Sequence, residues 1–346
     1  MEMPENKIQE NVPLAGLTTM RIGGNARYVI EVANAEQIEL ALNFAKNRNL
    51  PFFVLGGGAN CIGRDEGYDG VIIKISGTGK DVVVAEGEKV LVRAQAGENW
   101  DGFVRWTVER GLSGIECLAK IPGTCGAAPV QNIGAYGQDI AQAISNVEVY
   151  DTLKNETTVL TKDALNMGYR STIFNTGPEK GRYIIMSIDL MLTRGETLAG
   201  PFYNSLQKYL DEHDIHDYSP LSLYDAVSKI RADKLPDPAV TPSAGSFFKN
   251  VLLSRDEADK AEAEGIPVYR NEIGHGKINS GWLIEHAGLS GKTFYGFRVN
   301  DKAALVLENI SAKSYADLDK ARTEIIKTVQ EKFGYTLEQE PVEIVA

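Results

Sequence analysis

The chain has 346 residues, 43% of them hydrophobic and 24% charged. At roughly 100–200 residues per domain, that length reads as two or three domains, and the composition excludes a disordered, collagen-like or disulfide-stapled protein. Lysine and arginine total 36 against 47 aspartates and glutamates, and the net charge of −11 excludes nucleic acid and anionic membrane as general partners.

Residues 28–32 read as a strand. Asn34 is placed to cap a helix, with Gln37 as its box partner. Ile38, Ala41, Leu42 and Ala45 then recur at helical spacing. Pro51 interrupts that pattern. The short strand 52–55 runs into the turn Gly56, Gly57, Gly58, Ala59 and Asn60. Residues 82–85 and 90–94 read as strands around Gly87. A helix follows with Trp100, Phe103, Val104 and Val108 on one side and Gly111 as its stop. Residues 147–150 and 157–160 are expected to pair, and 183–193 to form a long buried strand. From 196 to 218 the chain reads as irregular, rich in Tyr, Asp and His.

A helix is expected from Ser222 to Ile230, ended by Pro236 and Pro238. Ser254 and Glu257 form a capping-box pattern for a helix that stops near Gly265. The last helix spans 314–333, with Leu318, Ala321, Ile325, Val329 and Phe333 on one side and Gly334 closing it. A domain change is placed within 196–238. The regular βα repeat of a barrel or doubly wound sheet is missing, so the class is α+β.

Cys61, Cys117 and Cys125 are too few for a disulfide framework and suit a reducing compartment, so a cytoplasmic location is expected. Residues 1–11 are charged and polar, without the apolar core of a leader. No apolar run approaches the ~18 residues of a membrane span. His213, His216, His275 and His286 lack metal-ligand spacing, as do the cysteines, so no metal site is expected.

Gly77, Thr78, Gly79 and Lys80 imitate a phosphate loop, but Asp81 stands where a hydroxyl should meet Mg²⁺. Residues 56–60 and 114–137 are richer in glycine. Such segments admit close approach of a ligand to the backbone and expose N–H donors to pyrophosphate. Spacing alone leaves ligand binding and tight turns in a packed core as equal readings. Ser246 follows Gly245 and precedes Phe247 and Phe248. Local sequence favours a strand end there, while apolar walls around one hydroxyl also suit a proton donor. Arg170 and Glu340, each taken alone, read as an ordinary paired arginine and a solvated glutamate.

Taken together, ordered blocks resemble the UDP-N-acetylenolpyruvoylglucosamine reductase family, the flavoproteins that complete UDP-N-acetylmuramate for bacterial cell walls. The blocks are residues 18–24, 55–60, 114–137, 168–171, 234–238, 244–250, 281–285 and the tail around Glu340. The resemblance covers about 13–344 and points to the longer, type I branch. It implies a two-lobed FAD-binding domain of the vanillyl-alcohol-oxidase type plus a C-terminal α+β substrate domain. The implied division is 1–76 and 77–230 for the two lobes, with a tyrosine loop near 196–218. The substrate domain would then span 231–335, and a strand at 336–346 would return Glu340 to the site.

By that resemblance Gly56, Gly57, Gly58, Ala59, Asn60, Gly123, Thr124, Gly126, Ala127, Asn132, Gly134 and Ala135 line the FAD. NADPH is the implied co-substrate, and a hydride passes from the flavin to the enolpyruvyl β-carbon. Arg170 is implied to stabilise the enolate-like charge, with Glu340 assisting it and Ser246 protonating the α-carbon. Tyr203, Lys234 and Asn250 are implied to bind the UDP-sugar, and the protein is expected to be a monomer. Asn300 departs from the histidine usual in the family, and Cys61 and Cys125 replace aliphatic residues. Two other readings fit the blocks less fully. One is a flavin-binding interaction module, against which retention of Arg170, Ser246 and Glu340 argues. The other is an oxidase on the same scaffold, for which no His or Cys matches an attachment position.

Overall fold

A computed structural model describes residues 7–195 and 198–345. The first six residues of the expected leaderless N-terminus, the start of the tyrosine loop (196 and 197) and residue 346 lie outside the described residues.

The N-terminal lobe is a four-stranded sheet with one helix. Its elements are β1 (Ile8–Pro13), β2 (Asn25–Val32), α1 (Ala35–Asn47), β3 (Phe52–Leu55), β4 (Cys61–Gly63) and β5 (Tyr68–Ile75). The order β1-β2-β5-β3 puts β5 parallel to both β2 and β3. Strand β5 carries the unbroken apolar run Val71, Ile72 and Ile73, buried on both faces. Asn34 caps α1 by accepting the Gln37 N–H at 3.0 Å. The Gln37 side chain reaches one residue further back than a capping box requires, to the N–H of Ala33 at 2.8 Å.

The second lobe is built on a six-stranded antiparallel sheet. Strands β6 (Lys80–Glu86) and β7 (Lys89–Gln95) form its first hairpin, followed by α2 (Trp100–Val108) and the short β8 (Leu112–Ser113). A small hairpin, β9 (Gly134–Ala135) with β10 (Gln138–Asp139), precedes one helical turn, α3 (Ile140–Ala143). Strands β11 (Ile144–Asp151), β12 (Glu156–Thr161) and β13 (Tyr183–Arg194) complete the sheet in the order β12-β11-β13-β7-β6, with β8 as the sixth strand, paired to the end of β13. The expected partners pair in register, with Val147 opposite Leu160 and Tyr150 opposite Thr157.

The stretch expected to be irregular contains a helix, α4 (Asn204–Glu212), which buries only Leu206 and Leu210. Two apolar contacts in three turns are too few for periodicity to announce a helix. The next helix, α5 (Pro220–Lys234), starts two residues before its expected Ser222. Ser219 is its cap and Pro220 its first residue, where a missing N–H costs nothing.

The C-terminal domain carries two small antiparallel sheets. One is β15 (Val251–Leu253), β17 (Gly276–Ile278) and β16 (Val268–Arg270), packed on α6 (Arg255–Ala263). The expected Ser254–Glu257 capping box of α6 is present. After α7 (Ser280–His286) come β18 (Thr293–Phe294), β19 (Phe297–Val299) and β20 (Val306–Asn309). These form the second sheet with β14 (Ser243–Ser246), in the order β14-β20-β19-β18. Helix α8 (Tyr315–Phe333) ends at Gly334 with a φ of 76°. Asn300 is buried as a turn anchor, accepting the N–H groups of Lys302 and Ala303 and donating to Glu308.

The final strand, β21 (Val342–Ile344), leaves the C-terminal domain and pairs parallel to β4 in the first lobe. Ile344 packs in that lobe's core beside Leu14 and Val29, while Met20, Ile22 and Ile62 pack in the core of the C-terminal domain. Among the described residues, no helix is long and apolar enough to cross a membrane, and no metal-holding cluster of His, Cys, Asp and Glu is found.

Candidate active site

Two glycine-bearing turns face each other between the lobes. The turn after β3 lies against residues 123–127. A Cβ added at Gly56 would sit 2.7 Å from Thr124 Oγ1, and one at Gly57 would sit 3.1 Å from Gly123 Cα. Gly58 has a φ of +66°, and a Cβ there would sit 2.0 Å from the Leu17 carbonyl oxygen. Only glycine tolerates both that backbone and that approach. The facing turn is fixed from behind: Cys125 N–H donates to Glu98 O at 2.9 Å and Gly126 N–H to Ala96 O at 2.8 Å. Thr124 Oγ1 is buried and has no hydrogen-bond partner among the described residues. A buried hydroxyl without a partner is expensive. A cradle of small residues around one such hydroxyl fits the pyrophosphate of a dinucleotide.

Asn60 stands at the end of the first turn and donates from Nδ2 to Gln131 Oε1 at 2.9 Å. Gln131 in turn donates from Nε2 to Glu340 Oε1 at 3.2 Å. The same carboxylate oxygen accepts from Arg170 Nε at 2.9 Å. Arg170 Nη1 donates to the Asn132 carbonyl at 3.1 Å. Asn60, Gln131, Glu340 and Arg170 thus form one continuous chain drawn from four separate segments. Arg170 itself has a φ of 52°, a left-handed conformation held by the Gly168–Ser171 bridge and by Asn175 Nδ2 on its carbonyl. Strain of this kind persists where the surroundings over-determine it, and it clusters at functional sites.

Burial pushes the Glu340 carboxyl above the usual range, opposed by Arg170, by Lys249 and by the Gln131 hydrogen bond. Arg170 and Glu340 side chains are 16% and 8% exposed, so the pair is largely withdrawn from water. Ser246 ends β14 two residues from Phe248, which bridges to Gln339. The Glu340 N–H donates to Phe247 O at 2.9 Å, which ties the carboxylate's segment to that of the serine.

The expected site residues do not converge equally. Arg170 and Glu340 touch, and Ser246 adjoins them through Phe247. Asn250 N–H donates to Tyr169 Oη at 3.1 Å, and its Oδ1 accepts from Ser280 N–H. Tyr203 precedes α4 and meets Tyr136 edge-on at 6.1 Å. Lys234, the last residue of α5, is exposed and makes no ion pair among the described residues. The Asn132 side chain is engaged internally, donating to Gly168 O and accepting from Ala141 N–H. It therefore shapes the Arg170 loop, with one amide N–H and one carbonyl lone pair still free among the described residues. Gly134 and Ala135 form the first strand of the β9–β10 hairpin, and Ala59 offers its carbonyl to Thr19.

Sequence reading missed Gln131, Lys277 and Tyr269. The Lys277 ammonium lies 5.2 Å over the Tyr169 ring. Burial lowers its pKa, and the Arg170 charge lowers it further. Its signal was the alternation of β17, where buried Gly276 and Ile278 flank one polar residue aimed at the other face. Tyr269 faces the Tyr203 hydroxyl, whose pKa burial and that neighbour both raise.

Twin small-residue turns with a buried, unpartnered hydroxyl, joined to a cation–carboxylate pair, fit an enzyme site that takes a pyrophosphate-bearing cofactor. A family model described as an FAD binding domain matches residues 26–160. Another, the C-terminal domain of UDP-N-acetylenolpyruvoylglucosamine reductase, matches residues 237–344. The reductase of that name from Pseudomonas putida is 36% identical over 337 residues, covering 96% of this chain and 98% of the relative. That of Thermobifida fusca is 37% identical, covering 96% and 97%. The crystal structure of the Thermus caldophilus enzyme shares the fold, with a TM-score of 0.66 at 23% identity, covering 96% of this chain and 97% of that one. The chain is an FAD-containing oxidoreductase of α+β fold. It belongs to the UDP-N-acetylenolpyruvoylglucosamine reductase family.

Proposed function

We propose that this protein reduces the enolpyruvyl group of UDP-N-acetylenolpyruvoylglucosamine to give UDP-N-acetylmuramate, with NADPH as reductant, for peptidoglycan precursor synthesis. FAD, when bound, supplies the two-electron carrier between NADPH and the enol ether. The observation that carries the reading is the Arg170–Glu340 pair, 2.9 Å apart and bonded through Phe247 to the segment of Ser246.

The two glycine turns would hold the cofactor's pyrophosphate, with the unpartnered Thr124 Oγ1 as donor. Arg170 has two of its nitrogens fixed, by Glu340 and Asn132. Its guanidinium is therefore oriented before substrate arrives, as stabilisation of developing enolate charge requires. Glu340 orients that guanidinium and offsets its charge. Ser246 donates the proton to the α-carbon, and one hydroxyl on one face sets the product's configuration. Lys234 and Asn250 contact the UDP diphosphate, with Lys277, which shares Tyr169 with Asn250, as a further cation. Tyr203 closes over the ligand. A cationic pocket inside a chain of net charge −11 thus takes a phosphorylated substrate.

This reading assigns 1–76 and 77–230 to cofactor binding, 231–335 to substrate binding and 336–346 to the strand that carries Glu340. It also has the protein work in the cytoplasm as a monomer, with the whole site in one chain. The test is anaerobic spectroscopy of the purified flavoprotein. NADPH should bleach the flavin absorbance, and UDP-N-acetylenolpyruvoylglucosamine should restore it. Bleaching without substrate-dependent recovery rejects the proposal.

A further inference from the structure

Glu340 is held by more than its hydrogen bonds to Arg170 and Gln131. The tail that carries it is gripped on both sides by one arginine. Arg322, on α8, donates from Nη1 to Gln339 Oε1 at 2.5 Å and to Glu343 Oε1 at 2.9 Å. Its Nη2 reaches Tyr315 Oη at 3.2 Å and also bonds Asp319. Gln339 precedes Glu340 directly, and Glu343 follows it by three. Arg64, just past β4, donates from Nη1 to the other Glu343 oxygen at 3.2 Å, and its guanidinium lies 4.7 Å over the Tyr315 ring. Asp65 accepts the N–H groups of Tyr315 and Ala316 at 2.6 and 2.9 Å, anchoring the start of α8 to the first lobe. Three segments meet here: the end of β4, helix α8 and the tail.

We infer that Arg322 is a positioning residue for the reaction, acting through Gln339 and Glu343 to hold Glu340 against Arg170. This rests on the function proposed above. The planar guanidinium suits the task because Nη1 bonds both tail side chains while Nη2 is held by Tyr315 and Asp319 of its own helix, a division between two fixed nitrogens that a single ammonium cannot make. Side-chain exposure of 19% and 21% for Arg322 and Glu343 keeps water from competing freely. Arg322 lies outside the cofactor and substrate turns, so its loss acts on geometry. A misplacement near 1 Å lowers a rate by about 100-fold.

The groups facing Glu340 are Arg170, Lys249, Tyr169 and the Gln131 amide. Loosening the tail changes both the burial that raises the carboxylate's pKa and the Arg170 and Gln131 contacts that lower it, so the group titrates at a different pH. The limb of the kcat–pH profile that vanishes in Glu340→Gln identifies this group. Arg322→Ala should lower kcat roughly 10- to 100-fold, leave KM for the UDP-sugar nearly unchanged, and move that limb. Arg322→Lys should recover part of both effects. Glu343→Gln should resemble Arg322→Ala, and the double variant should fall short of the product of the singles. Flavin absorbance reports cofactor loading, and amide exchange at Glu340 and Val342 should quicken.

A merely structural role lowers the active fraction without moving the limb. Variants with the parent's kcat and limb position, or a lower kcat with the limb unmoved, overturn the inference. If Arg322→Ala does not load flavin, Glu343→Gln and Arg322→Lys decide by the same criteria. A parent enzyme inactive on the UDP-sugar would instead reject the proposed function, whereas an active parent with unmoved variants rejects only the role of Arg322.

Discussion

Replacing Arg170 by alanine removes two hydrogen bonds, 2.9 Å to Glu340 and 3.1 Å to Asn132 O, together with the cation beside a buried carboxylate. Loss of one preorganised donor to developing charge costs about 10²–10³ in kcat. Arg170→Ala should therefore lose about that factor, with KM much less affected. Arg170→Lys should fall between, because one ammonium can meet the charge requirement but not both hydrogen-bond partners. Stability supplies a second readout. Glu340 has a raised folded pKa, so the unfolded chain gives up its proton first as pH climbs. Its contribution is therefore greatest below the ordinary carboxylate range and is lost as pH rises through the folded value. Arg170 restrains that rise, and without it the loss should extend to higher pH. Steady-state kinetics with UDP-N-acetylenolpyruvoylglucosamine and melting curves from pH 4 to 8 check both. A variant within twofold of the parent in kcat would refute the charge-stabilising role.

Ser246→Ala should retain flavin bleaching by NADPH while losing substrate-driven recovery, followed by stopped-flow absorbance; equal recovery would remove the serine from the chemistry. Gly58→Ala forces a Cβ to within 2.0 Å of Leu17 O at a φ of +66°. It should lose flavin during gel filtration and melt earlier than the parent, and normal flavin retention would contradict the cradle. Gln131→Ala removes a hydrogen bond that lowers the Glu340 pKa, so the Glu340 limb of the rate profile should move to higher pH. Arg182 donates two bonds to Asp151, at 2.9 and 2.6 Å, and holds its carboxyl at about 2. That stability is present above the unfolded pKa and lost as pH falls from about 4 towards 2. Asp151→Asn should flatten the acid part of the melting curve, and an unchanged curve would dismiss the pair.

Much of the fold was legible because its long elements bury one regular face. Helix α8 puts Leu318, Ala321, Ile325 and Val329 inside, and β11 and β12 alternate in register. The C-terminal sheets were not legible, since strands of two residues such as β18 are shorter than any detectable period and the three residues of β17 mark at most one outward position. Helix α4 escaped because two buried leucines carry it. At the site, the glycine turns spoke through composition, but the pairing of Arg170 with Glu340 spans 170 residues and has no local signature. Gln131 sat inside a recognised block without a role, since its meaning depends on Asn60 and Glu340 arriving on either side.

The parallel pairing of β21 with β4 joins Val342 to Cys61. Loops of that length close slowly and at an entropic cost that grows only logarithmically. The first lobe cannot fill its own core until Ile344 returns, and the C-terminal domain borrows Met20, Ile22 and Ile62 in exchange. Neither can be excised as a self-sufficient module. Cutting the chain between them would strand apolar surface on both pieces, so these two parts of the molecule should unfold together, and Tyr150 and Ile184 of the second lobe, packed in the core beneath α1, tie that lobe to them as well.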